Sequence, residues 1–283
     1  METYIHVPET TRAQPQLRAG DIYFVDYSDK GGPFKNRVIF DCFAFSFVQN
    51  GQKHIYRSGE NTLLKAGHGM LIPEGNSIIA EHSLDDDPYS SFLIFFPGQF
   101  GRDFLTLQKP LTKNRLAHQT PYIHFKLNEY LHEYVKGMKL LVQHKLPLSA
   151  ALARHKLEEL LLAIYELMPE ELISIFFNNV RELPLKTLVE NNLLNRLNLD
   201  ELSFLANRSL SSFKRDFEHA YGISPQRYMR ERRLEMACAE LAKGKLPGEL
   251  YLAAGYESLA NFCTAFKKKY SLSPGAYRQQ NNH

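Results

Sequence analysis

Residues 249–278 read ELYLAAGYESLANFCTAFKKKYSLSPGAYR. Glu249 to Ala254 have the character of a short helix, and Gly255-Tyr256 interrupts it. Ser258 then stands where an N-cap side chain accepts from the first turn of a new helix, 259–269. Phe262 and Phe266, four residues apart, share one face of that helix and are expected to turn inward. The same layout occurs once before. Leu199-Asp200-Glu201-Leu202 begins a short helix, and Asn207 supplies a turn residue tolerant of left-handed backbone. Ser209 caps a helix over 210–219, with Phe213 and Phe217 in the places of Phe262 and Phe266. Each unit closes alike, on Tyr221-Gly222-Ile223-Ser224-Pro225 and on Tyr270-Ser271-Leu272-Ser273-Pro274. A long helix over 225–243 joins them, with Pro225 suited to its first position. Short helix, tight turn and capped second helix is helix–turn–helix spacing, here written twice.

Working outward, Arg181-Glu182-Leu183-Pro184 is the best domain boundary. Before it, Leu131, Tyr134, Val135, Met138, Leu141 and Val142 recur at helical spacing between Asn128 as cap and Pro147 as stop. A second helix is expected over 149–168, and a shorter apolar piece, Leu172 to Val180, ends before the boundary. From about 20 to 100 the chain reads as short strands separated by turn signals, the pattern of an antiparallel sandwich or small barrel. Residues 37–48 form one such strand, Asn50-Gly51 reads as a hairpin turn into 54–56, and 91–96 is the last strong strand.

Composition sets the outer limits. The chain has 283 residues, 44% of them hydrophobic and 23% charged, which is ordinary for a globular protein of two domains. Apolar runs such as Phe92 to Phe96 are far short of the roughly 20 residues a membrane span needs. The first residues lack a basic stretch followed by an apolar one, so no secretory signal is expected. Three cysteines, Cys42, Cys238 and Cys263, without a CxxC pair, fit a reducing cytoplasmic setting. The net charge of +3 is unevenly placed: residues 183–283 hold 15 Lys/Arg against 10 Asp/Glu, and the rest hold 19 against 21. A positive C-terminal third suggests a polyanion as its partner.

The segment 199–278 resembles the two-helix–turn–helix DNA-binding domain of AraC/XylS-type transcriptional regulators. The matching residues are Phe217, Tyr221-Gly222-Ile223-Ser224-Pro225, Tyr228, Arg233, Ala237, Gly255-Tyr256-Glu257-Ser258, Asn261-Phe262, Phe266-Lys267 and Ser273-Pro274-Gly275-Ala276-Tyr277-Arg278. Gly67-His68-Gly69-Met70-Leu71-Ile72-Pro73-Glu74-Gly75 is similar to a strand–turn–strand of the family's cupin-like regulatory domain. Leu157-Glu158-Glu159-Leu160-Leu161 is similar to the ExsA-like branch. The fold class expected is therefore α+β in two domains. Residues 1–125 would form a cupin-like antiparallel β-barrel, 126–182 a helical linker or dimerisation region, and 183–283 an all-α domain with two helix–turn–helix motifs. Tyr251 and, in the equivalent place of the first unit, Ser203 depart from an alanine usual in the family, Glu240 from a leucine, and Thr264 from a frequent arginine on the second recognition helix.

A recognition helix offers bases the face opposite its core residues. With Phe213 and Phe217 inward, Ser211, Lys214 and Arg215 project outward, and Arg215 can hold a guanine edge in bidentate fashion. On the second helix the outward set is Leu259, Ala260, Asn261, Cys263 and Thr264. Asn261 suits adenine, while Leu259 and Ala260 suit a thymine methyl. Lys267 and Lys268, with Lys269, stand where either phosphate contact or helix-dipole compensation would use them.

The function expected is a cytoplasmic, sequence-specific transcription regulator, an activator, with double-stranded DNA and RNA polymerase as partners. Control would come from a small-molecule effector in the barrel or a protein anti-activator on the barrel or linker. Leu131, Val135, Met138 and Val142 make a stripe that either seats a homodimer or packs on the chain's own barrel. The competing reading is a metal-dependent cupin enzyme, with His54, His68, Glu81 and His82 as candidate ligands. No His-x-His pair and no GxSxG, HExxH, Walker or GxGxxG pattern supports it, so no catalytic residue, metal or cofactor is expected.

Overall fold

A computed structural model describes residues 4–32, 34–57, 60–84, 87–108, 121–177, 183–195 and 197–281. The chain divides into two compact units, Met1–Glu182 and Leu183–His283. Of the boundary read from sequence, Arg181 and Glu182 lie outside the described residues, as does Val180 at the end of the apolar piece before it.

The first unit holds β1 (Ile5–Val7), β2 (Gln16–Ala19), β3 (Ile22–Asp29), β4 (Asn36–Phe40), β5 (Phe43–Asn50) and β6 (Gln52–Arg57). It continues with β7 (Glu60–Lys65), β8 (His68–Ile72), β9 (Gly75–His82), β10 (Tyr89–Phe96) and β11 (Ile123–Lys126). Five strands form one sheet in the order β1-β4-β9-β6-β7, and six form another, β11-β8-β5-β10-β3-β2. The pairings are antiparallel except that β1 lies parallel to β4.

Two strand readings need correction. Residues 37–48 are two strands broken at Asp41-Cys42, because β4 belongs to the first sheet and β5 to the second. Asn50-Gly51 is not a hairpin turn either. β5 pairs with β8 and β10, whereas β6 pairs with β7 and β9, so the dipeptide is a corner between sheets. Gly51 takes φ +79°, and a Cβ there would sit 2.4 Å from the His82 carbonyl oxygen, so the corner requires glycine.

Side-chain alternation sorts the second sheet's two faces. Ala44, Val48, Leu93 and Phe95 face a core shared with Val38, Phe40, Ile55 and Ile79 of the first sheet. Phe43, Phe45, Phe47, Phe92, Ile94 and Phe96 face the other way, into a core completed by helices. An unbroken apolar run such as Phe92 to Phe96 is what a strand covered on both faces requires. The covering helices are α1 (Gly98–Leu107), α2 (Glu129–Gln143), α3 (Ala150–Leu167) and α4 (Pro169–Phe177). The Asn128 side chain accepts from Leu131 N–H at 2.9 Å, and Ser149 accepts from Leu152 N–H at 3.2 Å. The cap expected at Asn128 is therefore present, and Ser149 caps the helix expected over 149–168.

The helices of 126–182 are part of this core rather than a linker. Leu131, Val135, Met138 and Val142, read as a dimerisation stripe, are each at most 2% exposed and pack with the second sheet and with Leu157, Leu160, Leu161 and Ile164 of α3. That corrects the seam reading: the chain's own sheet already covers the stripe.

The second unit contains α5 (Leu185–Asn191), α6 (Leu199–Leu205), α7 (Leu210–Tyr221), α8 (Pro225–Ala242), α9 (Pro247–Leu250), α10 (Leu259–Tyr270) and α11 (Pro274–Asn281). Asn198 and Glu201 exchange backbone N–H bonds at 2.8 Å each, a capping box that starts α6. Asn207 has φ +53°, as its place in the turn predicts, and Gly255 has φ +82° in the second turn. The first helix of the second motif is shorter than expected, ending at Leu250, with residues 251–255 in turns. Ser203 and Tyr251 are accommodated locally. The Ser203 hydroxyl donates to Asp200 O at 2.9 Å, and Tyr251 packs beside Leu250, Ala254 and Phe262. Glu240 accepts from Lys243 at 2.7 Å and pairs with Lys245 at 2.6 Å, which holds its carboxyl down to about 2.

Gly255 is also a packing position. A Cβ there would lie 2.7 Å from Nη1 of Arg233, whose Nε donates to Leu193 O at 2.9 Å. Gly255→Ala is expected to destabilise the second unit by more than about 1 kcal/mol, from both φ strain and displacement of Arg233. Scanning calorimetry of the full chain would read the loss, and an unchanged transition would show that Arg233 yields without cost.

Candidate nucleic-acid interface

Each recognition helix is a capped amphipathic segment. The Ser209 hydroxyl accepts from Ser212 N–H and the Ser258 hydroxyl from Asn261 N–H, each at 3.2 Å. Phe213, Phe217, Phe262 and Phe266 are fully buried and anchor the two helices in the unit. Burying one such ring stabilises the fold by about 1.5–3 kcal/mol.

The outward faces differ. On α7, Ser211 and Arg215 are exposed and Lys214 is half-buried. On α10, Leu259, Ala260, Asn261, Thr264, Lys267 and Lys268 are exposed, while Cys263 is half-buried. Thr264 Oγ1 donates to Ala260 O at 3.0 Å, so its hydroxyl proton is engaged on its own helix. Lys269 does not join its two neighbours. Its ammonium donates to Glu231 O at 2.9 Å and to Glu235 Oε1 at 3.0 Å, tying the end of α10 to α8.

Two residues of this face were not singled out in the sequence. Asp216 Oδ1 accepts from Arg215 Nε at 3.1 Å and lies 3.0 Å from its Nη2, while Oδ2 accepts from Arg208 Nη1. Partial desolvation alone would raise the Asp216 carboxyl, but the bonds and charges of Arg215 and then Arg208 hold it below its ordinary value. The available signal was adjacency: Asp216 follows Arg215, and Arg208 precedes the Ser209 cap.

In the first unit, a cavity of about 290 Å³ lies between the sheets, with Val38, Phe40, Ile72, Ile79, Leu93 and Phe95 on its walls. Lys53 also lines it, only 4% exposed. Its ammonium sits 3.2 Å from Glu81 Oε1 and donates to Ser46 Oγ at 3.1 Å. Tyr27 donates to Glu81 Oε2 at 3.0 Å, and burial followed by the Glu81 charge pushes the Tyr27 phenol up. Glu81 is thus committed to Lys53 and Tyr27. His54 stacks on Tyr56 at 4.9 Å between ring centres, and burial, then His82 and Lys35, lowers its pKa. His68 Nδ1 lies 3.4 Å from Ala66 O. Among the described residues, no three His, Cys, Asp or Glu side chains gather as a metal would need, and no helix is long and apolar enough to cross a membrane.

Residues 43–175 match the family model of the ExsA N-terminal regulatory domain, and 202–280 match a helix-turn-helix domain. The first match runs from β5 through α4, so sheet and helices fall within one domain. An uncharacterized HTH-type transcriptional regulator of Haemophilus influenzae is 39% identical over 87 residues, 30% of this chain and 29% of the relative. The HTH-type transcriptional regulator ExsA of Pseudomonas aeruginosa is 29% identical over 150 residues, 51% of this chain and 53% of the relative. The thermoregulatory protein LcrF of Yersinia pestis is 22% identical over 250 residues, 83% of this chain and 92% of the relative. The matches to the first two thus span about a third and about half of those relatives' lengths.

Proposed function

This chain belongs to the AraC/XylS family of DNA-binding transcriptional regulators, in its ExsA-like branch, and from that premise we propose that it activates transcription from a two-box operator. Each box would lie under one recognition helix, with adjacent major-groove faces roughly 34 Å, or one helical turn, apart. The observation that carries the reading is the pair of capped helices, α7 and α10, each with two phenylalanines buried and an exposed opposite face. Ser211, Lys214 and Arg215 are assigned to one box, and Leu259, Ala260, Asn261, Cys263 and Thr264 to the other. Lys267 and Lys268, exposed and clear of the Lys269 clamp, are assigned to phosphates.

RNA polymerase is the proposed downstream partner. Control by a small-molecule effector is supported by the inter-sheet cavity with its buried Lys53–Glu81 pair, and a protein anti-activator is the other mode. A homodimer, where it forms, would use outward residues such as Tyr130 and Leu140 of α2, which are 51% and 47% exposed.

The test is selection of bound duplexes from a random pool by the full chain, followed by gel shift across a salt series. Phosphate neutralisation releases counterions, so with Lys267 and Lys268 on two phosphates the log–log slope of affinity against salt should be about −1.8 or steeper. A folded chain whose binding is insensitive to salt, or that selects no sequence, would overturn the reading.

A further inference from the structure

The geometry points to Asp216 as a specificity-determining positioning residue that buttresses Arg215 for guanine readout, with Arg208 as its anchor. The inference rests on the reading of α7 as a recognition helix and goes beyond it. A guanidinium is a planar fork of five N–H donors. Asp216 Oδ1 faces Nε and Nη2 of Arg215, at 3.1 and 3.0 Å, so it occupies the side edge of the fork. That leaves the end edge, one hydrogen each of Nη1 and Nη2, which is the edge that can meet guanine O6 and N7 together. Arg215 is 73% exposed and long, and without a partner it would sample many rotamers and reach phosphates as readily as a base. The carboxylate restricts it to orientations that keep the side edge occupied.

Arg208 completes the arrangement. It stands in the turn just before the Ser209 cap, and its Nη1 donates to the other oxygen, Oδ2, so both carboxylate oxygens are held. A bare carboxylate on this face would repel the phosphates. Two arginines on one aspartate leave the cluster with a net charge of +1, so the face stays attractive to DNA. The arrangement trades some sequence-independent attraction for discrimination, because the Asp216 charge opposes every phosphate while the oriented Arg215 favours one base.

The experiment uses the full chain and a duplex selected from the random pool, its single-base variants under Arg215, and an unrelated duplex. Asp216→Ala should lower discrimination at the guanine about tenfold. It should also tighten binding to the unrelated duplex several-fold and steepen its salt slope by about one. Asp216→Asn, which keeps a neutral acceptor, should fall between wild type and Asp216→Ala in discrimination. Arg208→Ala should shift discrimination in the same direction by less. If Asp216→Ala weakens all duplexes by one common factor together with the thermal transition, its role is structural and the inference is wrong. If Arg215→Ala removes the guanine preference while Asp216→Ala leaves it intact, the buttress fails and the recognition reading stands. If neither substitution alters any base preference, both fail.

Discussion

Replacing Leu131 and Met138 together by glutamate is expected to unfold the first unit rather than to separate a dimer. Both side chains are at most 1% exposed and lie in the core that joins α2 to the second sheet. Each substitution replaces a buried apolar side chain by a carboxylate of similar size in an apolar core. The lost apolar burial costs about 1.5–3 kcal/mol at each site, and burying an unpaired charge adds several more. Two of them exceed the stability of most domains, about 5–15 kcal/mol. Leu162→Glu is the control, since Leu162 on α3 is 43% exposed and its replacement should change stability by no more than about 0.5 kcal/mol. The chain has no tryptophan, so far-ultraviolet circular dichroism and limited proteolysis are the measurements. A double variant that stays folded and sediments as a monomer while wild type sediments as a dimer would restore the seam and refute the core placement.

The reason the stripe was ambiguous is physical. Periodicity shows that one face of a helix is apolar, but not what covers it, and a homodimer and a neighbouring sheet demand the same residues. The strands failed in a related way. Asn50-Gly51 has the local chemistry of a hairpin, yet strand pairing is decided by distant partners, β8 and β10 for β5 and β7 and β9 for β6. What was legible was local. The Asn128, Ser209 and Ser258 caps, the left-handed Asn207 and the buried phenylalanine pairs each depend on residues within a few positions of one another. The second unit is built almost wholly of such signals, written twice, and so its architecture could be read closely. The Arg208–Asp216 bond escaped because it spans eight residues from a turn into a helix, outside the three- and four-residue spacing by which helical pairs are recognised. Likewise Lys269 looks like its neighbours in sequence, and only the packing of α10 on α8 gives its ammonium to Glu231 and Glu235.

The two boxes of the operator should differ in stringency, and Arg215→Ala should expose the difference. On α7 a largely exposed guanidinium presents a free end edge, and a bidentate arginine–guanine contact contributes about 1–3 kcal/mol of discrimination. That is about 5- to 150-fold in affinity between bases, at 1.4 kcal/mol per decade. On α10 the exposed groups assigned to bases are the side chains of Leu259, Ala260, Asn261 and Thr264, and the Thr264 hydroxyl already donates to Ala260 O. Freeing that proton for a base breaks one bond to make another, so the net gain is small. Thr264→Ala is therefore expected to change affinity by less than about threefold. Arg215→Ala should lower it about tenfold or more and relax preference in one box only. The box under Arg215 should be sharply defined and contain guanine, and the other looser and A/T-rich, read by Asn261 and by contacts of Leu259 and Ala260 with thymine methyls. Titrating single-base variants of a selected duplex against wild type and both variants measures this directly. Equal losses from the two substitutions, or equal stringency in the two boxes, would show that α10 reads sequence as strongly as α7 and that the asymmetry is wrong.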